Sequence, residues 1–208
     1  MFRLLFPTRY PEYIRLAWWR LVVPLRIRWC GVDSSPTANF AGMPIISLVP
    51  GSRISIGSRV SLCSNSSYTA LGVNHAVVLR TLRPGAVIEI GEDTGISGAS
   101  ICAAEYVSIG KGCLIGANVT IVDTDFHALK TQGRRHNNNA TDIATSPVRI
   151  GDNVFVGTGA IILKGVTVGD DSVIGAGAVV VHDVPAGHIA AGNPAKTLKS
   201  LYLEWPHL

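Results

Sequence analysis

From Ile150 to Pro185 the chain reads IGDNVF, VGTGAI, ILKGVT, VGDDSV, IGAGAV, VVHDVP. An aliphatic residue heads each block: Ile150, Val156, Ile162, Val168, Ile174 and Val180. Gly follows the head in four of the six, and a small or branched residue (Val154, Ala160, Val166, Ser172, Ala178, Val184) stands fifth. Earlier blocks repeat the pattern as IGKGCL, IGANVT and IVDTDF from Ile109, and as IGEDTG and ISGASI from Ile90. A period of six is foreign to an α-helix, whose apolar residues return every three or four positions. It predicts one short strand and one turn per block, three blocks carrying the chain once round a triangular prism. The head points inward, the fifth residue fills the corner, and Gly or Asn relieves the turn. Each strand then pairs with its equivalent in the next coil, and a terminal coil needs a cap.

Three stretches break the period: Ser64 to Leu82, a slip from Cys102 to Tyr106, and Ala128 to Pro147. Long excursions from a compact solenoid are commonly functional. The expected organisation is a lead-in with a short helical segment over 1–50, an all-β prism over 51–192 with excursion loops at 64–82 and 128–147, and a tail over 193–208.

In the lead-in an amphipathic stretch from Tyr13 to Val23 sets Trp18 and Trp19 beside Arg15 and Arg20, and it is expected to end near Pro24. Two readings stand side by side. The stretch packs on the main domain or a sister subunit, or its Arg and Trp residues rest on an anionic membrane surface. Its longest uncharged runs, Leu4 to Thr8 and Leu21 to Leu25, are far short of the ~20 residues of a span. Neither a membrane span nor a secretory signal is expected.

Composition narrows the classes. With 208 residues, 47% of them apolar and only 15% charged, the chain suits one packed domain, and disorder or a coiled coil is excluded. The net charge of +4 resides in the first thirty residues, where six Arg oppose Glu12. The main domain therefore lacks the basic face that nucleic acid requires. Cys30, Cys63, Cys102 and Cys113 form no CxxC and no paired spacing, so neither a zinc site nor a disulfide framework is expected.

On these repeats the chain resembles the hexapeptide-repeat family over roughly residues 54–200. The resemblance implies a left-handed parallel β-helix, commonly a homotrimer, and transfer of an acyl group from a coenzyme A thioester. The segment IVDTDFHAL, which sets His127 at the mouth of the third excursion, is similar to the active-site segment of sugar O-acetyltransferases, although Ala128 stands where the family more often has Pro. A sugar hydroxyl is a poor nucleophile, and a neutral imidazole can take its proton and return it to the departing thiolate. His127 is accordingly the expected base, with Asp125 fixing its tautomer or holding the acceptor. Asp123, Ser97 and Ser100 are candidate acceptor contacts, and no Cys stands where a nucleophile would.

The resemblance further implies Gly157 and Thr158 along the pantetheine arm, the Thr158 N–H facing the oxyanion, and Ala176 beside them. Phe155 stands where the family often has Trp. The tail turns off the helix through Gly192-Asn193-Pro194, and Lys196 and Lys199 follow, placed for the nucleotide phosphates. His75, His136, His182, His188 and His207 read as loop or turn residues, though His136 beside Arg134 and Arg135 could touch substrate.

The expected function is acetyl-CoA-dependent O-acetylation of a sugar or lipid-linked glycan during surface polysaccharide or lipopolysaccharide assembly. No metal and no nucleic acid are involved, and the site of action is the cytoplasm or the inner face of the membrane. N-acetylation of an amino sugar is the alternative. A metal-dependent lyase would need three converging His, and His127 has no partner at suitable hexad offsets; a non-catalytic solenoid would need neither the His nor the tail.

Overall fold

The computed structural model describes residues 12–137 and 139–202. Arg3, Arg9 and the rest of the first eleven residues, and His207 with residues 203–208, lie outside them. Strands wind into three parallel sheets, the faces of a prism. Ile150 registers against Val168, Val156 against Ile174 and Ile162 against Val180, so three hexads close one coil. All six heads and all six fifth residues from Ile150 to Val184 are buried. The fourth residue often takes the left-handed conformation, as at Asn118, Asn153 and Asp171.

Glycine after the head has a steric cause. A Cβ on Gly116 would lie 2.8 Å from the Thr158 nitrogen, and one on Gly157 would lie 2.5 Å from that of Ala176. Successive coils approach too closely for any side chain there.

The prism begins earlier than the repeat reveals. Asp33–Ser34, Asn39–Ala41 and Ile45–Ser47, on the first, second and third faces in that order, form a first coil that pairs with Arg53–Ile56, Ser61–Cys63 and Val78–Thr81, so the lead-in read over 1–50 already contains solenoid. The first excursion likewise ends at residue 77, since Val78–Thr81 has rejoined the third face. At the other end His188–Gly192 continues the second face and Ala195–Ser200 folds back antiparallel to it, around a cis Asn193–Pro194 peptide. This hairpin closes the stack.

Helix α1 (Glu12–Trp29) closes the opposite end. It runs through Pro24 rather than stopping there. Proline removes one backbone hydrogen bond, but Val23 and Ile27 on either side are buried against Val32, Ala38 and Phe40 of the first coil. That burial holds the helix across the break. Among the described residues no helix is long and apolar enough to cross a membrane.

Candidate active site

The second long excursion leaves the edge between the third and first faces. Its base is a short antiparallel stem: Asp125 N–H donates to Ala144 C=O (3.2 Å), Ser146 N–H donates to Asp123 C=O (2.9 Å), and Thr124 bridges Thr145. Two residues on, His127 N–H donates to Asp125 C=O at 2.7 Å, with Phe126 at φ 60° between them. This is a γ-turn on a bulky residue, a conformation costing about 1–3 kcal/mol that persists only where its surroundings impose it. It leaves His127 exposed, its imidazole without a hydrogen bond among the described residues.

Asp125 does not hold that imidazole in this chain. Its Oδ1 accepts from Lys164 Nζ at 2.7 Å, one coil further along, while Oδ2 is buried without a partner among the described residues. The pair ties the γ-turn to the prism. Lys164 escaped the sequence reading, its one signal being its place after Leu163, which stands where four of the six hexads from Ile150 carry Gly.

Asp123 is placed differently from its reading as an acceptor contact. It is 0% exposed. Its Oδ1 accepts the Ala104 N–H at 2.7 Å, and its Oδ2 accepts those of Glu105 (2.7 Å) and Tyr106 (2.8 Å). The slip from Cys102 to Tyr106 turns three amides inward, and this carboxylate satisfies them. No substrate reaches it.

A cleft of about 280 Å³ opens beside the γ-turn, lined by Leu82, Arg83, Ala104, Thr124, Phe126, Ala140 and Ile143. Arg83 donates to the carbonyls of Ala140 (2.9 Å) and Ile143 (3.2 Å), pinning the excursion along its edge. His136 is exposed in the short turn Arg134–His136 further out.

A different edge, between the second and third faces, carries the other candidates. On the edge between the first and second faces, the N–H groups of Lys111 and Asp152 donate to the carboxylates of Asp152 and Asp170, at 2.8 Å each. The equivalent residues here are Ala117, Thr158 and Ala176, and their N–H groups meet no acceptor among the described residues. The Thr158 hydroxyl donates back to Ala117 C=O at 2.7 Å, and Phe155 is exposed nearby on the second face. Ala117 was missed, although IGAN, VGTG and IGAG share a register.

The line continues into the hairpin. Ala191 Cβ lies 2.8 Å from where a Gly175 Cβ would stand, and Ala191 registers against Lys196. Lys196 and Lys199 are both exposed. Gly157 is buried by the close stacking of coils. Toward the other end, the first excursion lies over the same edge: Asn74 N–H donates to Asn118 Oδ1 (2.7 Å), and His75 Nε2 sits 3.5 Å from Ser100 Oγ. Ser97 is half-buried on the neighbouring strand. Ser97 and Ser100 thus lie on the amide edge, with His75, and the third face separates them from His127.

The buried thiols of Cys102 and Cys113 are pushed above the ordinary cysteine range by desolvation, away from the thiolate a nucleophile needs. Among the described residues no three His, Cys, Asp or Glu side chains gather as a metal site.

Residues 106–122 and 147–181 match the family profile described as hexapeptide repeat of succinyl-transferase. A protein of Schizosaccharomyces pombe named as an acetyltransferase is 41% identical over 95 residues, 46% of this chain and 44% of its own length. A 2,3,4,5-tetrahydropyridine-2,6-dicarboxylate N-acetyltransferase of Staphylococcus carnosus is 55% identical over 56 residues, 27% of this chain and 23% of its own. The chain thus spans less than half the length of these curated relatives. Among solved structures, a galactoside acetyltransferase in complex with coenzyme A superposes with a TM-score of 0.50 at 35% identity, covering 55% of each chain. Hexapeptide repeats thus run through the matched residues, and the fold is the left-handed parallel β-helix.

Proposed function

We propose that the protein transfers an acetyl group from acetyl-CoA to a sugar hydroxyl, on a free sugar or a lipid-linked glycan in surface polysaccharide or lipopolysaccharide assembly. The observation that carries this reading is the line of amides at Ala117, Thr158 and Ala176, without acceptors among the described residues and ending beside Lys196. An extended pantetheine arm offers amide carbonyls to such a line, and small side chains let it approach. Lys196 and Lys199 meet the nucleotide phosphates at its end. The solved galactoside acetyltransferase was obtained with coenzyme A, which supports the choice of cosubstrate.

In this reading His127 takes the proton of the acceptor hydroxyl as its oxygen attacks the thioester carbon. The Thr158 N–H steadies the tetrahedral oxyanion. Collapse breaks the carbon–sulfur bond, and the imidazolium returns the proton to the departing thiolate, so no covalent enzyme intermediate is formed. Asp125 and Lys164 act by holding the γ-turn that aims His127.

Within one chain His127 and Thr158 lie on different edges, with the third face between them. After Thr158 the chain turns at Gly159 and then runs along the third face through Ile161–Ile162, so a whole side of the prism separates the two edges and both cannot touch one carbonyl. The reading therefore requires a neighbouring copy: in a homotrimer of parallel prisms, the His127 edge of one subunit meets the amide edge of the next. The cytoplasm, at the inner face of the membrane, is the setting this acceptor class implies.

The identity to an N-acetyltransferase favours a second reading, in which an amino sugar is the acceptor. Mass spectrometry of a pool of sugars, amino sugars and nucleotide sugars incubated with acetyl-CoA separates the two. O-acetylated product supports the proposal, N-acetylated product supports the alternative, and absence of acetyl-CoA binding would contradict both.

Ala176 is exposed and its neighbours leave the edge open, so Ala176→Trp should fill the groove without disturbing the core. Acetyl-CoA affinity is expected to fall at least about tenfold by isothermal titration, with an unchanged melting temperature; loss of one charge-assisted contact in Lys196→Ala should cost about the same.

A further inference from the structure

Helix α1 has two apolar faces. Trp19, Val23 and Ile27, spaced by four, pack on the first coil. Ile14, Trp18, Leu21, Leu25 and Trp29 recur at four, three, four and four residues and form a second stripe, in which Leu21 is 65%, Leu25 66% and Trp29 93% exposed. Val23, the centre of the buried face, is two residues from both Leu21 and Leu25, hence about 200° away around the helix axis. The bare stripe thus points directly away from the prism. A helix that only capped the coil would carry polar residues there.

The charges choose the occupant. Arg26 and Arg28, both exposed, flank the stripe at about 100° and 60° round the helix from Leu25 at its centre, while Arg20 lies toward the prism beside Asn39 and Leu62, and Glu12 is the one acid in the helix sequence. A second copy of the helix laid stripe to stripe would bring Arg against Arg, which opposes self-association. A surface of anionic headgroups over hydrocarbon matches both features, with leucine and tryptophan entering the interface and arginine meeting phosphate. We propose that α1 docks the protein flat on an anionic phospholipid bilayer through Leu21, Leu25 and Trp29.

The position of α1 suits this. It covers the end of the stack, so its outer stripe faces along the prism axis and outside any contact between prism sides. Given the parallel trimer proposed above, three stripes share one end and can engage one flat surface together. Binding to lipid itself is independent of acyl transfer and is read without it.

The test is flotation of the intact protein with vesicles of phosphatidylcholine containing phosphatidylglycerol, and with vesicles of phosphatidylcholine alone. The wild type is expected to float with the anionic vesicles only, and less at high salt. Leu21→Glu combined with Leu25→Glu should lower the bound fraction at least about tenfold, with an unchanged melting temperature because both side chains are already exposed. Tryptophan emission should move to the blue on binding, a shift reduced in Trp29→Phe. Failure to float, equal flotation by the double variant, or equal binding to neutral vesicles would overturn the proposal. So would a lipid-free assembly larger than a trimer that the double variant dissolves, which would assign the stripe to a second copy.

Discussion

His127→Ala is expected to lose acetyl transfer by about two decades or more, the scale on which a positioned general base contributes, while acetyl-CoA still binds. The side chain is exposed and makes no hydrogen bond among the described residues, so its removal leaves the γ-turn and the prism as they are. The loss should appear in kcat, with little change in the affinity for acetyl-CoA, because the amide edge that would hold the cosubstrate is untouched. Single-turnover rates together with titration of acetyl-CoA into the variant check both halves. A variant with wild-type kcat would remove His127 from the reaction, and one that no longer binds acetyl-CoA would make it a binding residue instead.

The second large effect concerns folding. Asp123→Ala leaves the N–H groups of Ala104, Glu105 and Tyr106 without their acceptor. Ala104 is buried and Tyr106 half-buried, and the Glu105 N–H bond to Asp123 is partly shielded although Glu105 itself is exposed. Each buried donor left unpaired costs about 1–3 kcal/mol, so the sum is at least about 3 kcal/mol. For a chain of this size that lowers the thermal midpoint by roughly 6–12 °C. Asp123→Asn keeps the volume but presents an NH2 group toward an amide, and should recover only part of the loss. Differential scanning calorimetry of the three proteins reads the order wild type, Asn, Ala; an Ala variant as stable as wild type would show that these amides find water instead.

The core of the prism could be read from hexad heads and fifth residues alone, because burial in a solenoid repeats with the chain and each position states its own environment. The first coil could not. Its stretch VDSSPTANFAGMPIIS has no Gly after an aliphatic head, and Val32, Ala38 and Phe40 show themselves as inward only once paired with the following coil. Pro24 misled for a related reason, since a local break was outweighed by burial of Val23 and Ile27 against residues distant in sequence. The slip at Cys102 to Tyr106 and the carboxylate of Asp123 were both visible, but their pairing lies across successive coils.

At the site the same division holds. His127 follows a third-face hexad and Thr158 a second-face hexad, so their separation onto two edges is implicit in the count of sixes. The Asp125–Lys164 pair joins residues 39 positions apart in the chain and has no local signature. Amides without acceptors are legible only in the structure, because the difference between Asp152 and Thr158 lies in which carboxylate the next coil supplies.

The central claim is that His127 of one subunit and the amide edge of its neighbour form one acyl-transfer site. Co-expression of His127→Ala with Ala176→Trp, each carrying its own affinity tag, yields mixed trimers by tandem purification. Each parent variant is impaired for a different reason, His127→Ala in the chemical step and Ala176→Trp in acetyl-CoA binding, which limits the rate at acetyl-CoA well below its Kd, yet an interface joining an Ala176→Trp subunit's His127 to a His127→Ala subunit's intact edge is whole. Every mixed trimer has one interface in three of this kind, and acetyl transfer by the tandem-purified sample at that acetyl-CoA concentration should recover to roughly that fraction of wild type. A sample no more active than either parent would contradict the account.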